Sequence, residues 1–454
     1  MSLSFTAAPA LADRGSIHVT ATGDLAFTDN VFSEQRGDQN SDLFIQIRPG
    51  VLMSYGMPRM IHDLNLEGEV TGYAVHGDDA AITGRAAWRA LFLPSPRTDV
   101  TLQAGAGSSL LNVISVIAAP DQAPGLQPTG AVTAITADAS ESFSYQATRE
   151  LRLTQQLFAR AGRSDDNLEE PTITSSREAG ADVGGEHSFE SSALALEIGA
   201  SVVRFERRAP AMAMQGSRLD RQTNPRVRAR YRYDFSRKLS LGVDGGLVNV
   251  RPYGTDPYNP GAGDRKNGVF PIAGLNAQYI DEWGVATASI RRDVTPNLFI
   301  AQNTVNDGLT AAAAFPIAYN GGTRRVPKLV VVGALALQRT RLIDPITSDA
   351  TSSFGLAQFS VGFQYALRPG LSYGVRYELM LQDGDDSASM PVQGFMRNTI
   401  FATFRIRYPE DVAFHVPRRK RNGLRAGGQE LSPIGAEPVI PDLIEGDGGD
   451  GDRR

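Results

Sequence analysis

Residues 226–235 have the sequence RVRARYRYDF, in which arginine occupies every second position from Arg226 to Arg232. Successive side chains of a β-strand point to opposite faces, so the stretch separates into two sets. One face holds Arg226, Arg228, Arg230 and Arg232, and the other holds Val227, Ala229, Tyr231, Tyr233 and Phe235. A helix would mix the two sets. The stretch therefore predicts a strand with one polar and one apolar face.

The same period of two runs through three further stretches. The polar face holds Asp63, Asn65, Glu67, Glu69 and Thr71 in 63–74, Ser372, Gly374, Arg376, Glu378 and Gln382 in 371–382, and Thr399, Thr403, Arg405 and Arg407 in 399–408. Counting such segments gives about 18 strands from Ser16 to Tyr408, centred near residues 22, 48, 67, 87, 103, 143, 157, 183, 198, 228, 245, 273, 290, 313, 333, 360, 376 and 402. The patterning is weak near 143, 183 and 313, which leaves 16 or 20 strands open.

The connections between these segments alternate in length along the chain. Short ones lie at 56–59, 94–97, 236–238, 281–283 and 368–370, and long ones at about 111–138, 163–177, 206–222, 252–268, 342–352 and 383–394. The links at 77–79 and 303–308 are short, although their order places them with the long set. Tight turns on one rim and long loops on the other are typical of a transmembrane barrel. The predicted fold class is all-β, a transmembrane antiparallel up-and-down β-barrel of about 18 strands.

The arginine row indicates which face of the predicted barrel meets water. Four like charges spaced about 7 Å apart along one strand repel each other, so they need water or facing carboxylates. A hydrated lumen supplies both, and the Gly- and Ala-containing opposite face is acceptable against lipid. Aromatic residues near the segment ends fit an interfacial girdle. They are Phe27, Phe44, Tyr55, Tyr73, Phe92, Tyr233, Tyr279, Trp283, Tyr365, Tyr373 and Tyr408.

Composition excludes several classes of function. The chain has 454 residues, with 45 Lys and Arg against 50 Asp and Glu, and its net charge of −5 gives no reason to expect nucleic acid as a partner. It has no cysteine, so disulfides, zinc–thiolate sites and thiol catalysis are excluded. The five histidines include no i, i+4 pair, and no phosphate-loop motif occurs. We predict no catalytic residue, no metal site, no cofactor and no enzyme activity.

Both ends of the chain are predicted to lie outside the barrel, which would span 13–408. Ala10-Leu11-Ala12 before Asp13 fits the small residues that signal peptidase accepts, so 1–12 is interpreted as the remnant of a secretory signal. A disordered Ala/Pro-rich terminus is the alternative. Residues 409–454 cannot bury a core and are predicted to be a disordered periplasmic tail. Its basic run at 417–421 is a candidate for binding anionic lipid or glycan, or is simply solvated.

The first hairpin carries a family resemblance. Thr28-Asp29-Asn30-Val31-Phe32, the stretch 41–44 and Arg48-Pro49-Gly50-Val51 give a strand end, a polar loop and a next strand with Pro-Gly. This resembles the opening hairpin of the β-barrel porin family of Gram-negative outer membranes. The phrase at 235–242, echoed at 148–153, is common in such barrels. The specific match is confined to these stretches, whereas the barrel patterning runs from Ser16 to Tyr408.

The resemblance implies a channel in the cell outer membrane, with both termini in the periplasm, surrounded by outer-membrane lipid and inserted by the barrel assembly machinery. Similar barrels serve as the pore for exopolysaccharide export, with a periplasmic export protein as partner. Many such barrels end on an aromatic residue that the assembly machinery reads, for which Tyr408 would be an internal version. Three functions stay open: a porin-like channel passing polar solutes or polymer through a charged lumen, an export pore, and a structural or adhesive barrel with a closed lumen.

The predicted pore-lining residues are charged members of the polar faces. They are Arg226, Arg228, Arg230, Arg232, Asp63, Glu67, Glu69, Arg376 and Glu378. The arginine row could select anions or guide an acidic polysaccharide, or it could be a structural ladder paired with acids of neighbouring strands or of an inward loop. Asp63, Glu67, Glu69 and Glu378 are candidates for those acids. The relatively apolar loop 111–138 could constrict the lumen, form an extracellular flap or conceal a strand.

Overall fold

The computed structural model describes residues 15–31, 39–77, 80–110, 133–164, 174–207, 218–253, 267–281, 283–297, 302–319, 327–343, 350–368, 370–383 and 394–409. These residues form eighteen strands. They are β1 (Gly15–Thr28), β2 (Asp42–Met57), β3 (Met60–Tyr73), β4 (Ala81–Ser95), β5 (Thr98–Leu110), β6 (Thr133–Gln146), β7 (Leu151–Ser164), β8 (Thr174–Ser188), β9 (Ser192–Arg207), β10 (Arg218–Asp234), β11 (Leu239–Tyr253), β12 (Gly268–Asp281), β13 (Gly284–Asn297), β14 (Gln302–Tyr319), β15 (Pro327–Ile343), β16 (Ala350–Arg368), β17 (Leu371–Asp383) and β18 (Phe395–Tyr408). The predicted signal remnant 1–12 and the predicted tail from residue 410 onward, with its basic run, lie outside the described residues.

The strands form one closed antiparallel sheet. Each strand pairs with its neighbours in the chain, and β1 closes the ring by pairing with β18 from Val19↔Tyr408 to Thr28↔Thr399. Every predicted segment centre falls inside a strand, including the weakly patterned ones near 143, 183 and 313. The prediction of an all-β up-and-down barrel of about 18 strands is confirmed.

The two rims of the barrel carry different connections. Tight turns such as 58–59, 96–97 and 235–238 join strands at the rim that also carries Gly15 and Tyr408, which we call the short-turn rim. The opposite rim, called the long-loop rim, carries the connections 29–41, 74–80, 111–132, 165–173, 208–217, 254–267, 298–301, 344–349 and 384–394. The predicted alternation of short and long connections holds from β1 to β12, whereas around β13–β15 the connection 320–326 on the short-turn rim is longer than 298–301 and 344–349 on the opposite rim.

Several predicted connections are shorter than expected because strands extend into them. Residues 133–138 belong to β6, 218–222 to β10 and 303–308 to β14, and the other long connections lose a few residues to the strands beside them. Polar and small residues made these stretches look like loops. In β14 the explanation is a local network, because Asn306 donates to Thr295 Oγ1 at 2.7 Å and accepts from Thr340 at 2.9 Å. Polar side chains inside the barrel satisfy one another instead of marking a turn.

The outer face of the barrel is an apolar band. On β9 the outward positions from 194 to 202 are Leu194, Leu196, Ile198, Ala200 and Val202, and the four larger side chains are 48–58% exposed. From Leu194 to Val202 an extended strand measures about 26 Å along its own axis. Because strands of a membrane barrel are tilted, the height of this stretch along the membrane normal is somewhat less than the apolar band of about 25 Å. Glu141 of β6 and Gln155 of β7 are polar exceptions, since the register places them opposite outward residues such as Leu157 and Phe143.

Aromatic side chains crowd the short-turn end of this band. Tyr233 contacts Phe235, and Trp283 contacts both Tyr279 and Phe315, with ring centres 4.6–5.7 Å apart. This placement fits an interfacial girdle.

No helix in the described ranges is long and apolar enough to cross a membrane.

Two predicted girdle members, Phe44 and Tyr73, lie inside the barrel instead. Strand alternation turns both rings inward, where they are buried against each other and against Phe401. The sequence missed this because an aromatic residue near a strand end suits either face. The long-loop end of the lumen therefore has an apolar inner patch.

The long-loop ends of β13–β15 fold into the lumen. β12 and β13 pair only from Asp281↔Gly284 to Ala273↔Arg292, and beyond that level they separate. Residues 303–306 of β14 are buried on both faces, and Val305 packs against residues of the β11 and β12 inner wall. A strand in the wall of a barrel leaves its outer face uncovered. Burial on both faces therefore places this end of β14 inside the barrel.

Candidate functional site in the lumen

The four arginines of β10 lie on its inner face, and each is paired with a carboxylate. Arg228 lies 2.7 Å from Asp244 of β11, and Arg232 lies 2.9 Å from Asp234 of its own strand. The other two pairs are Arg226 with Asp182 of β8 and Arg230 with Glu197 of β9. The row is thus balanced charge by charge. Acids of the neighbouring strands, as the structural-ladder alternative expects, account for two of the pairs, and the other two acids lie on β8 and on β10 itself. We call the four arginines with their acids the β10 ladder.

Asp182 reaches Arg226 across an intervening strand. The residue of β9 in register with both is Gly199. A Cβ at position 199 would overlap Oδ1 of Asp182, so the missing side chain leaves room for the carboxylate. Arg226 Nε donates to Asp182 Oδ1 at 2.8 Å, and its guanidinium lies 5.4 Å from the centre of the Phe158 ring. A carboxylate and an aromatic face together hold this arginine in one place.

The remaining predicted pore-lining residues lie on inner positions of β3 and β17, away from the ladder. Each makes a local polar contact: Glu67 with Arg85 (2.8 Å), Asp63 with Ser54 (2.6 Å), Glu69 with Thr83 (3.3 Å), and Glu378 with Gln358 (2.9 Å) and Arg376 (3.8 Å). The acids that the sequence offered as partners of the ladder are therefore engaged elsewhere. The ladder uses acids of β8, β9, β10 and β11, because register rather than abundance decides which carboxylates are within reach.

A second charged patch lies half-way around the barrel. β1 is nine strands from β10 in the ring of eighteen. On this wall Asp24 pairs with Arg48 of β2 and accepts a hydrogen bond from Thr403 Oγ1 at 2.5 Å. Sequence reasoning missed this pair, although Asp24 and Arg48 stand on the polar faces of their strands. A molecule in the lumen would therefore meet paired charges on opposite walls.

The infolded end of β14 narrows the lumen near the long-loop rim. The Asn303 side-chain amide donates to Gln222 and Asn224 of β10, although β11, β12 and β13 separate the two strands along the wall. The constriction hypothesis for loop 111–138 concerns other residues. Positions 111–132 lie outside the described residues, and 133–138 belong to the wall strand β6. The narrowing that the structure does describe comes from strand ends.

Metal binding and nucleophilic catalysis would each need a specific arrangement of side chains at the inner wall. Within the described ranges, no group of three or more His, Asp or Glu side chains could hold a metal ion. Gly370-Leu371-Ser372-Tyr373-Gly374 has the spacing of a nucleophile elbow, but β17 begins at Leu371, and Ser372 accepts a hydrogen bond from Gln364 at 3.0 Å. An elbow needs a sharp strand-to-helix turn. This serine instead sits in a regular strand.

A closed sheet with an apolar outer band and charged inner walls decides the class of protein. Only helices and closed barrels satisfy every backbone group inside a bilayer, and this chain forms the barrel. The protein is an outer-membrane β-barrel. Its short turns and both described ends lie on one rim, which in such barrels faces the periplasm.

Three solved structures are similar to this outer-membrane barrel. The ferric-catecholate import receptor Fiu of E. coli K12 has a TM-score of 0.45 and 9% identity, over 87% of this chain and 82% of that one. Pseudomonas aeruginosa OccK2, in complex with glucuronate, has 0.42 and 11%, over 88% and 99%. A BenF-like porin of Pseudomonas fluorescens has 0.43 and 10%, over 87% and 99%. Similarity at this level concerns barrel architecture alone. No family model matches the chain, and no curated protein matches it in sequence.

Proposed function

We propose that this barrel is a porin-like channel that passes polar, charged solutes across the outer membrane. The observation that carries the proposal is the β10 ladder, a row of paired charges on the inner wall of an eighteen-strand ring. Barrels of 16–18 strands enclose an aqueous channel, and paired charges on the wall replace part of the hydration of a passing solute.

The pairing predicts weak selectivity for ions. Each ladder arginine has its own acid, so the ladder itself carries no net charge, while Glu178, Glu186 and Asp220 add further acids to the inner surface of β8–β11. A channel must bind a solute well enough to admit it and weakly enough to release it. A wall of paired charges with a small excess of acids meets both conditions for solutes of either charge, and we expect a reversal potential slightly on the cation-selective side for the unmodified barrel.

Planar-bilayer conductance under a salt gradient tests the proposal with two opposed variants. Arg228→Ala with Arg230→Ala leaves Asp244 and Glu197 without their partners, so the reversal potential should shift toward cations. Asp244→Asn with Glu197→Gln leaves the two arginines unbalanced, so the shift should be toward anions. Arg237→Ala removes an exposed charge in a turn of the short-turn rim and serves as the control, with no shift expected.

The proposal requires discrete current steps from the unmodified barrel and shifts of the reversal potential of opposite sign in the two double variants. Heat-modifiable migration on gels confirms that each barrel used is folded. Equal reversal potentials in both double variants would show that the ions do not pass along the β10 ladder. A folded barrel that never conducts would overturn passive passage. That silence would favour an export pore that works with a periplasmic protein, or a closed structural or adhesive barrel.

A further inference from the structure

Five arginines form a row on the outer face of the barrel, close to the long-loop rim. They are Arg163, Arg177, Arg204, Arg221 and Arg251, on β7, β8, β9, β10 and β11, and all five are exposed. Arg177 lies directly opposite Arg204, and Arg204 directly opposite Arg221. Arg163 and Arg251 extend the row diagonally at its two ends, because Ala161 faces Arg177 and Thr223 faces Arg251. We call this set the outer arginine row.

The outer arginine row lacks the compensation seen in the lumen. None of the five side chains makes an ion pair with another described residue. Glu206 of β9 is the one acidic side chain on the outer faces of these five strands, as far as the structure describes them, and it lies beyond the row. Like charges directly opposite each other on a sheet are destabilising. An anion bound along the row would remove that repulsion.

The position of the row along the membrane normal indicates which kind of anion it would meet. On β9 the apolar band ends at Val202, and Arg204 is the next outward residue. Ala179 and Arg177 on β8, like Ala161 and Arg163 on β7, repeat this step from apolar to cationic. The guanidinium groups therefore lie where the acyl chains of the outer leaflet end and its head groups begin.

The row does not continue onto the opposite side of the barrel, formed by β1–β4. At the same rim the outer faces of β1–β4 carry Phe27, Leu43, Val70 and Ile82, which are 44–83% exposed. Ordinary lipid contact does not require five arginines on one side and apolar residues on the other. The asymmetry points to a ligand held on the β7–β11 side.

We propose that the outer arginine row binds the phosphate groups of the phosphorylated glycolipid of the outer leaflet, lipid A. The planar guanidinium fork matches phosphate oxygens in pairs, and such charge-assisted hydrogen bonds are about twice as strong as neutral ones. The apolar side chains below the row would pack against the acyl chains of the same molecule. The binding depends on the orientation of the barrel and not on conduction, so a barrel that fails to conduct leaves the test intact.

Native mass spectrometry of the full-length protein in detergent micelles tests this assignment. The probes are bisphosphorylated lipid A, lipid A stripped of both phosphates, and phosphatidylglycerol. We expect the unmodified protein to retain the bisphosphorylated form about tenfold more tightly than the stripped form, and Arg204→Gln with Arg221→Gln to abolish most of that difference. Arg149→Gln with Arg237→Gln, exposed in turns of the short-turn rim, is the matched control and should behave like the unmodified protein.

Three outcomes would each overturn the assignment. Equal retention of the bisphosphorylated and stripped forms would leave only acyl-chain contact. Unchanged retention by the Arg204/Arg221 variant would place the phosphates elsewhere. Phosphatidylglycerol bound as tightly as lipid A would make the row a general anionic-lipid surface. If the double variant does not fold, Arg177→Gln alone is the milder substitution, with a weakening of about threefold expected from the loss of one guanidinium.

Discussion

At the scale of single residues, the ladder depends on a missing side chain as much as on charged ones. Asp182 and Arg226 stand two strands apart and meet only because Gly199 leaves the space between them open. The sequence shows the arginines plainly, since alternation alone places them on one face. The sequence could not show which acids pair with the arginines, or the role of Gly199. A glycine in a strand is equally consistent with a bulge, a locally weakened strand or a close approach of another group.

Substitution of Gly199 tests this dependence. Gly199→Ala would drive a methyl group into Asp182 and break its contact with Arg226, so we expect a loss of about 1–3 kcal/mol in the free energy of unfolding. Gly245→Ala on β11 is the control, because no atom lies within 4 Å of a Cβ built there. Urea unfolding of the lipid-reconstituted barrel measures both. Equal stabilities for the two variants would show that the gap at 199 is not needed.

At the scale of strands, lipid on one side and water on the other impose a period of two that the sequence displays directly. That period located all eighteen strands, but the pairing between strands is a tertiary property. Residues 224–225 of β10 make no pair with β11, while Thr223 and Arg226 on either side of them do. In sequence, Asn224-Pro225 resembles a turn. In the structure β10 is continuous there, and Pro225 only interrupts the backbone hydrogen bonds to β11, because it has no N–H to donate.

The infolded end of β14 was also beyond reach of the sequence. Nothing local in 302–307 indicates that β12 and β13 separate, and the polar residues there look like a link between strands. Their burial on both faces follows from the contact of Val305 and Asn303 with the inner wall. Both faces of a strand segment are covered only when the whole ring has formed.

Loosening that end should widen the channel. Asn303→Ala with Val305→Ala removes the amide contact to β10 and part of the apolar contact to β11 and β12, at a cost of about 1–3 kcal/mol in stability. We expect a larger and noisier single-channel conductance than in the unmodified barrel. Leu309→Ala, on an outward position of the same strand, is the control and should keep the original conductance. An unchanged conductance in the double variant would mean that the infolded end is not the narrowest point.

At the scale of the whole molecule, the assignment of inner and outer faces is the premise of both proposals. The same alternation along each strand decides which residues face the lumen and which face the lipid. If the inner face were assigned wrongly, the outer face would be wrong as well. The apolar residues of β9 that face outward and the charged residues of β10 that face inward lie in adjacent strands of one wall. The arrangement is consistent only if water fills the ring and lipid surrounds it.

Single cysteines test the two faces directly, because the chain contains none of its own. Asn276→Cys lies on an exposed inner position of β12, and Ile198→Cys replaces an outward side chain that is 58% exposed. In reconstituted barrels a membrane-impermeant maleimide should label Cys introduced at 276, whereas lipid should shield position 198 until the protein is unfolded. Arg237→Cys, in a turn at the short-turn rim, should react in every state and controls for reagent access. Labelling at 198 with protection at 276 would mean that the charged faces are not inside, and the channel and the glycolipid site would fail together.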